Sequence, residues 1–204
     1  MSDQVEELLN VYDASGSVVG TMARGEAKSR GFAAGAVQLL VVNAHGQILL
    51  QRRREDKENG GLWDKSVGGH VLAGESFDQA IVREGNEELF GAASADRIEL
   101  VDSFEGRERP AGSVAVRRMR VELGLRDIRF ASTPERRLIN VTYHAAMYAG
   151  RTDLPIEGFA PQVEELAALR YFEPRDVDRM LVEGELAPNM GFVWFALGGA
   201  LLHL

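Results

Sequence analysis

The sequence predicts a layered α/β domain, and three observations carry that reading. GAVQLLVVN at residues 35–43 is a continuous apolar run, the pattern of a strand buried on both faces. SFDQAIVREGNEEL at 76–89 has the features of a capped helix. Strand-like and helix-like stretches are intermixed along the rest of the chain, with long loops between them, as layered α/β domains require.

Taken in order, VYD at 11–13 and VVG at 18–20 flank the turn residues of DASGS, which predicts a hairpin. Residues 1–30 are read as a hairpin extension packed on a domain of residues 31–204. After the 35–43 strand, AHG makes a turn, and QILLQRR at 47–53 returns as a second strand paired through it. REDKENGG at 54–61 is a charged loop. LWDKSVGGHVLAGE follows, with Gly68, Gly69 and Gly74 free to bend sharply. Ser76 and Gln79 form a capping box for the next helix. Phe77, Ile81 and Leu89 share its apolar stripe, and Gly91 is its stop. Residues 92–134 are the least legible, with short strands expected at 98–103 and 119–123 around EGRERPAG. LINVTYHAAMY at 138–148 reads as a strand, and LAALRYFEP leads into a helix at about 175–183. Residues 190–204 read as a buried apolar helix, too short for a membrane span of ~20 residues. That helix either completes the core or pairs two subunits as a homodimer.

Composition narrows the function classes. The 204 residues carry a net charge of -8, which argues against a nucleic-acid polymer as partner. An acidic protein that handles phosphate needs a local cation or a bound metal. The chain has no cysteine, so a disulfide scaffold, a thiolate zinc site and a Cys nucleophile are excluded. MSDQVEELLN lacks the order of a signal peptide, and the cytoplasm is the expected compartment.

The chemistry concentrates in REGNEELFG. Glu84, Glu87 and Glu88 fall three and four apart, on one helical face. Like charges so placed repel by a few tenths of a kcal/mol per pair. Gly85 within the helix costs about 1 kcal/mol against Ala. Three carboxylates on one face are hard oxygen ligands of the kind Mg²⁺ or Mn²⁺ prefers, and a divalent ion would reverse their repulsion.

With the loop before it, the stretch resembles the Nudix family, whose box is G-x5-E-x7-R-E-U-x-E-E-x-G-U, with U aliphatic. Gly69, Glu75, Arg83, Glu84, Glu87 and Glu88 match at the right spacing, a coincidence on the order of 10⁻⁸ per starting point. Gly85 stands where an aliphatic is usual, and Phe90 takes the place of the closing glycine, which follows as Gly91. The resemblance implies an α/β/α sandwich around a mixed sheet, with the box as loop-helix-loop. It implies hydrolysis of a small-molecule diphosphate linked to a group X. It also implies metal held by Glu84, Glu87, Glu88 and a carbonyl near Gly69, with Arg83 and Glu75 orienting them.

VYDASGSVVG, NAHGQILLQRR and GLWDKSVGGHVLAGES are further similar to the subgroup related to isopentenyl-diphosphate isomerase. The isomerase cysteine corresponds to Gly68, and its upstream histidines have no counterpart in KSRGFAAGA. Hydrolysis is therefore the first reading. Isomerase-like activity and a non-catalytic nucleotide- or partner-binding role are the alternatives. By the same resemblance Arg53 and Lys57, with Arg52 beside them, are the candidates to bind the diphosphate. Glu165 is the candidate base outside the box, with Glu164, Glu157 and Glu135 as open choices. His70 either joins the metal or hydrogen-bonds within its loop. Trp63 is expected to pack.

Overall fold

The computed structural model describes residues 7–91, 96–131, 136, 138–161, 166–201 and 203. In chain order they form β1 (Leu8–Tyr12), β2 (Val18–Ala23), α1 (Arg24–Arg30), β3 (Ala33–Val42), β4 (Ile48–Arg53), β5 (Trp63–Asp64) and β6 (Val67–His70). Then come α2 (Phe77–Phe90), β7 (Ile98–Leu100), β8 (Val114–Phe130), β9 (Leu138–Arg151), β10 (Leu166–Phe172), α3 (Pro174–Glu183) and α4 (Met190–Leu201).

The apolar run seen in the sequence is the centre of the sheet. Every residue of β3 is buried, and the pleat sends alternate side chains to opposite faces. Val37, Leu39 and Val41 join Ile81 and Leu89 of α2. Leu40 and Val42 join Met180 of α3 and Val193 and Leu197 of α4. Each such side chain, once fully buried, contributes ~1.5–3 kcal/mol. The result is a helix–sheet–helix sandwich. The sheet is mixed, in the order β10-β4-β3-β9-β8-β7, with β3 parallel to β9 and β7 parallel to β8.

The positions that build the site come from how β3 changes partners. It pairs with β4 only at Val41 and Val42, next to the connecting turn. From Ala36 to Leu39 its partner is β6. The two strands therefore diverge, and β6 brings Gly68, Gly69 and His70 into the space between them. β1 adds to the same edge, pairing with β2 and, at Val11 and Tyr12, with β3.

Two regions differ from expectation. A helix, α1, follows the hairpin, because RGEAKSR ends on Gly31 at φ 71, a left-handed stop. β8 runs 17 residues from Val114 to Phe130, where only a short strand at 119–123 was expected, after another at 98–103. Only Ile98–Leu100 of the first forms, as β7. The last helix packs into the core through Met190, Val193, Trp194, Leu197 and Leu201, while its Phe195 is 88 % exposed.

Candidate active site

The loop before α2 and the first turns of α2 are locked by local hydrogen bonds. Ser76 Oγ accepts from the Gln79 amide, and Gln79 Oε1 accepts from the Ser76 amide, closing the capping box. Arg83 then ties the helix to the loop. Its Nε and Nη2 donate to the two oxygens of Glu75 at 2.7 and 3.0 Å, and Nη2 also donates to the His70 carbonyl at 2.9 Å. Burial opposes ionisation of Glu75, but the Arg83 bonds prevail and hold its carboxyl below the ordinary range. Glu75 in turn accepts from the Leu72 amide.

β1 secures the loop from the other side. Asn10 donates to the Glu75 carbonyl and accepts from the Gly74 amide. The sequence reading missed this residue, which is 65 positions from Glu75. No local pattern marks such a partner.

Glycine at position 69 is required by Glu84. A Cβ there would lie 2.0 Å from the Glu84 carboxylate carbon, so the carboxylate rests directly against the strand backbone. Glu88 is more deeply enclosed. Its Oε2 accepts from the Gly68 amide at 3.2 Å and from Gln51 Nε2 at 3.3 Å. Burial, reinforced by the charge of Glu84, pushes the Glu88 carboxyl up to about 8. Burial also raises Glu84, despite Arg83 beside it.

Among the described residues, the three carboxylates do not close around a single point. Glu84 and Glu87 both turn to Arg83 Nη1, at 2.9 and 3.3 Å. The donor set nevertheless suits a hard divalent cation. It offers carboxylate oxygens only, two of them on groups whose burial disfavours their charge, and a backbone cradle that a side chain would fill.

Glu84, Glu87 and Glu88 line one cavity of about 470 Å³, together with Gly68, Gly69 and His70. Arg53 also reaches it, donating from Nε to the Glu58 carbonyl at 2.8 Å. Arg52 and Lys57 are not part of its lining. Neighbours on a strand point to opposite faces, and Arg52 instead donates to the Gly61 carbonyl on the outer side. The wall also holds residues the sequence reading did not select: Arg24 and Lys28 of α1, Gln38 of β3, the Asp64–Lys65 pair, and Arg129 of β8. Lys65 and Asp64 are both buried and ion-paired at 3.0 Å. Burial, reinforced by Arg24 and Lys28, pushes the His70 imidazole down to about 3, so it is neutral at pH 7.

The remaining candidates have ordinary places. Trp63 packs edge-on against Phe172. His144, for which the sequence suggests no role, is buried, accepting from the Gly124 amide through Nδ1 and facing the Asp13 carbonyl through Nε2. Glu157 lies in a short 3-10 turn away from the cavity. Glu135, Glu164 and Glu165 fall outside the described residues.

Comparison with known proteins bears on the family and the fold. An uncharacterised Nudix hydrolase of Streptomyces coelicolor is 35 % identical over 105 residues, 51 % of this chain and 58 % of that protein. An isopentenyl-diphosphate Delta-isomerase of Serratia proteamaculans is 28 % identical over 95 residues, 46 % of this chain and 53 % of the relative. The chain thus matches little more than half the length of these curated relatives. A Deinococcus radiodurans crystal structure shares the fold at a TM-score of 0.61 and 19 % identity, over 89 % of this chain and 92 % of that one. A Nudix hydrolase from M. smegmatis shares it at 0.52 and 16 %, over 96 % and 95 %. The NUDIX domain pattern matches residues 33–190, and this chain belongs to the Nudix family.

Proposed function

We propose that this chain is a divalent-metal-dependent pyrophosphohydrolase that cleaves a diphosphate linked to a small group X. One observation carries the reading: Glu84 and Glu88 are half-buried against the Gly68–Gly69 backbone, on the wall of the cavity. Glu84, Glu87 and Glu88, with a carbonyl near Gly69, would hold Mg²⁺ or Mn²⁺. When bound, such an ion supplies charge neutralisation at the phosphoryl oxygens and a water of lowered pKa. Arg83 and Glu75 keep the three carboxylates in place. Arg53 supplies positive charge toward the diphosphate. Glu165 is proposed as the base outside the helix, and residues 1–30 as an extension of the catalytic domain.

The isomerase alternative is disfavoured by the surroundings of Gly68. A Cβ at that position would lie 2.2 Å from Lys65 Cε. Lys65, held by Asp64, would have to move aside for any side chain there, and Gly68 itself supplies no thiol.

The test is a panel of nucleoside-diphosphate derivatives and isoprenoid diphosphates, with Mg²⁺ and with Mn²⁺. Release of phosphate products that disappears in Glu88→Gln is the expected result. Conversion of isopentenyl to dimethylallyl diphosphate without hydrolysis would overturn the proposal.

A further inference from the structure

Asn10 is 3 % exposed, in a strand where its neighbours Leu9 and Val11 are apolar and buried. A buried amide is costly unless it is hydrogen-bonded, and both halves of this one are bonded to a single turn. Nδ2 donates to the Glu75 carbonyl at 2.9 Å, and Oδ1 accepts from the Gly74 amide at 3.1 Å. The turn is closed by the Glu75 amide donating to the Leu72 carbonyl at 3.0 Å. Its Gly74 has φ 82, which glycine adopts without strain. Backbone bonds run alongside: the Asn10 amide donates to the Val71 carbonyl at 3.2 Å, and the Ala73 amide donates to the Leu8 carbonyl at 2.8 Å. Residues 8–10 therefore form a short ladder with the loop that carries Glu75, although they precede the stretch matched to the Nudix domain.

What the ladder holds reaches the site through Arg83. Glu75 takes two of the guanidinium nitrogens, Nε and Nη2. The third, Nη1, faces Glu84 and Glu87 at 2.9 and 3.3 Å. A guanidinium is a rigid planar fork, so fixing two of its nitrogens fixes the third. Without Glu75 in place, the fork could turn fully onto Glu84 and Glu87, as arginine pairs with carboxylates elsewhere, and would compete with an ion for their oxygens. We infer that Asn10 is a positioning residue: by holding the Glu75 turn it keeps Arg83 from closing over Glu84 and Glu87, and so sets the affinity of these carboxylates for a divalent ion. The inference rests on the metal-site reading above. Loss of a partner that orients metal ligands from behind costs about 10–100-fold in affinity or activity.

The experiment is calorimetric titration of Mn²⁺ into the full chain, into Asn10→Leu and into Val11→Ala, well below the melting temperature of each. Val11 is buried on the opposite face of the same strand, so Val11→Ala loosens β1 while leaving the Asn10 amide in place. If Asn10→Leu does not fold, Asn10→Ser takes its place with the same expectation. A second readout needs no metal: solvent exchange of the Arg83 Nε–H, followed by NMR and identified by its loss in Arg83→Lys. The expected result is Mn²⁺ affinity at least about ten-fold weaker in Asn10→Leu, with faster Arg83 exchange, and neither change in Val11→Ala. Native affinity in Asn10→Leu, or an equal loss in Val11→Ala, overturns the inference and leaves the metal site standing. If the unaltered chain binds no Mn²⁺, the metal reading falls, and Arg83 exchange alone decides. Faster exchange confined to Asn10→Leu then upholds Asn10 as the residue that positions Arg83, and unchanged exchange removes that role too.

Discussion

Glu88 concentrates the cost of the site in one side chain. In the metal-free protein the folded carboxyl keeps its proton up to about pH 8, whereas the unfolded chain releases it near 4.5. Between those values the native state binds more protons, so stability falls as pH rises. The loss is on the order of several kcal/mol when complete. Denaturant unfolding of metal-free protein at pH 5 and pH 8 should show it, and Glu88→Gln should flatten the dependence. Equal pH slopes for the two proteins would sink this account of Glu88. In the presence of metal the same substitution should lower kcat by about 100-fold or more, the scale on which preorganised charge acts. Gly69→Ala tests the neighbouring contact. A methyl there would lie 2.0 Å from the Glu84 carboxylate carbon, so it must displace the carboxylate. Turnover should fall at least ten-fold, with far-UV circular dichroism unchanged. Undiminished turnover would mean that the position of Glu84 is not critical.

At the scale of elements, α2 shows why its pattern departs from the family's. Gly85 is buried, and Ile98 of β7 fills the space where an aliphatic side chain would lie, with Cγ1 and Cδ1 2.8 and 2.9 Å from a built Cβ. Gly85→Ala gains about 1 kcal/mol of helix propensity, but overpacking against Ile98 costs ~1–3 kcal/mol. The single variant should therefore be neutral or destabilised, and the same change in an Ile98→Ala background should stabilise. A double-mutant cycle measures this coupling, expected at about 1 kcal/mol or more; additive effects would refute the packing account. Phe90 explains the late glycine in the same way. It is buried and stacked on Phe159, so the helix runs one residue further before Gly91 ends it at φ 76. These departures were legible in the sequence as positions, but their partners were not, because Ile98 and Phe159 are distant in the chain. β8 failed for a different reason. Its alternation is broken by register shifts at Arg118–Arg120 and Glu122–Leu125. Bulges of this kind reset which side chains face inward, so no single two-residue period runs through it. The carboxylate face and its Gly69 cradle were legible because their spacing is local. Asn10, Gln38 and Arg129 reach the site only through strand pairing, which single-sequence periodicity does not encode.

At the scale of the molecule, the proposed metal would link the site to the stability of the whole domain. The carboxylates belong to α2, their cradle to β6, and the supports to β1 and β4. α2 and β6 are also packed into the central core through Ile81, Leu89 and Val67. An ion that binds only when these pieces are assembled stabilises the folded state by mass action, about 2.7 kcal/mol at a hundred-fold excess over Kd. For a chain of this length, that corresponds to a rise in Tm of roughly 5–10 °C. The gain should be larger at pH 8 than at pH 5, since protons compete for the carboxylates at the lower pH. Calorimetric scans with and without Mn²⁺ measure it. Glu88→Gln should abolish most of the shift. Arg52→Met should leave it intact, because Arg52 lies outside the cavity lining. A shift of equal size in Glu88→Gln would locate the ion elsewhere, and the reading of α2 as a metal-binding helix would fall with it.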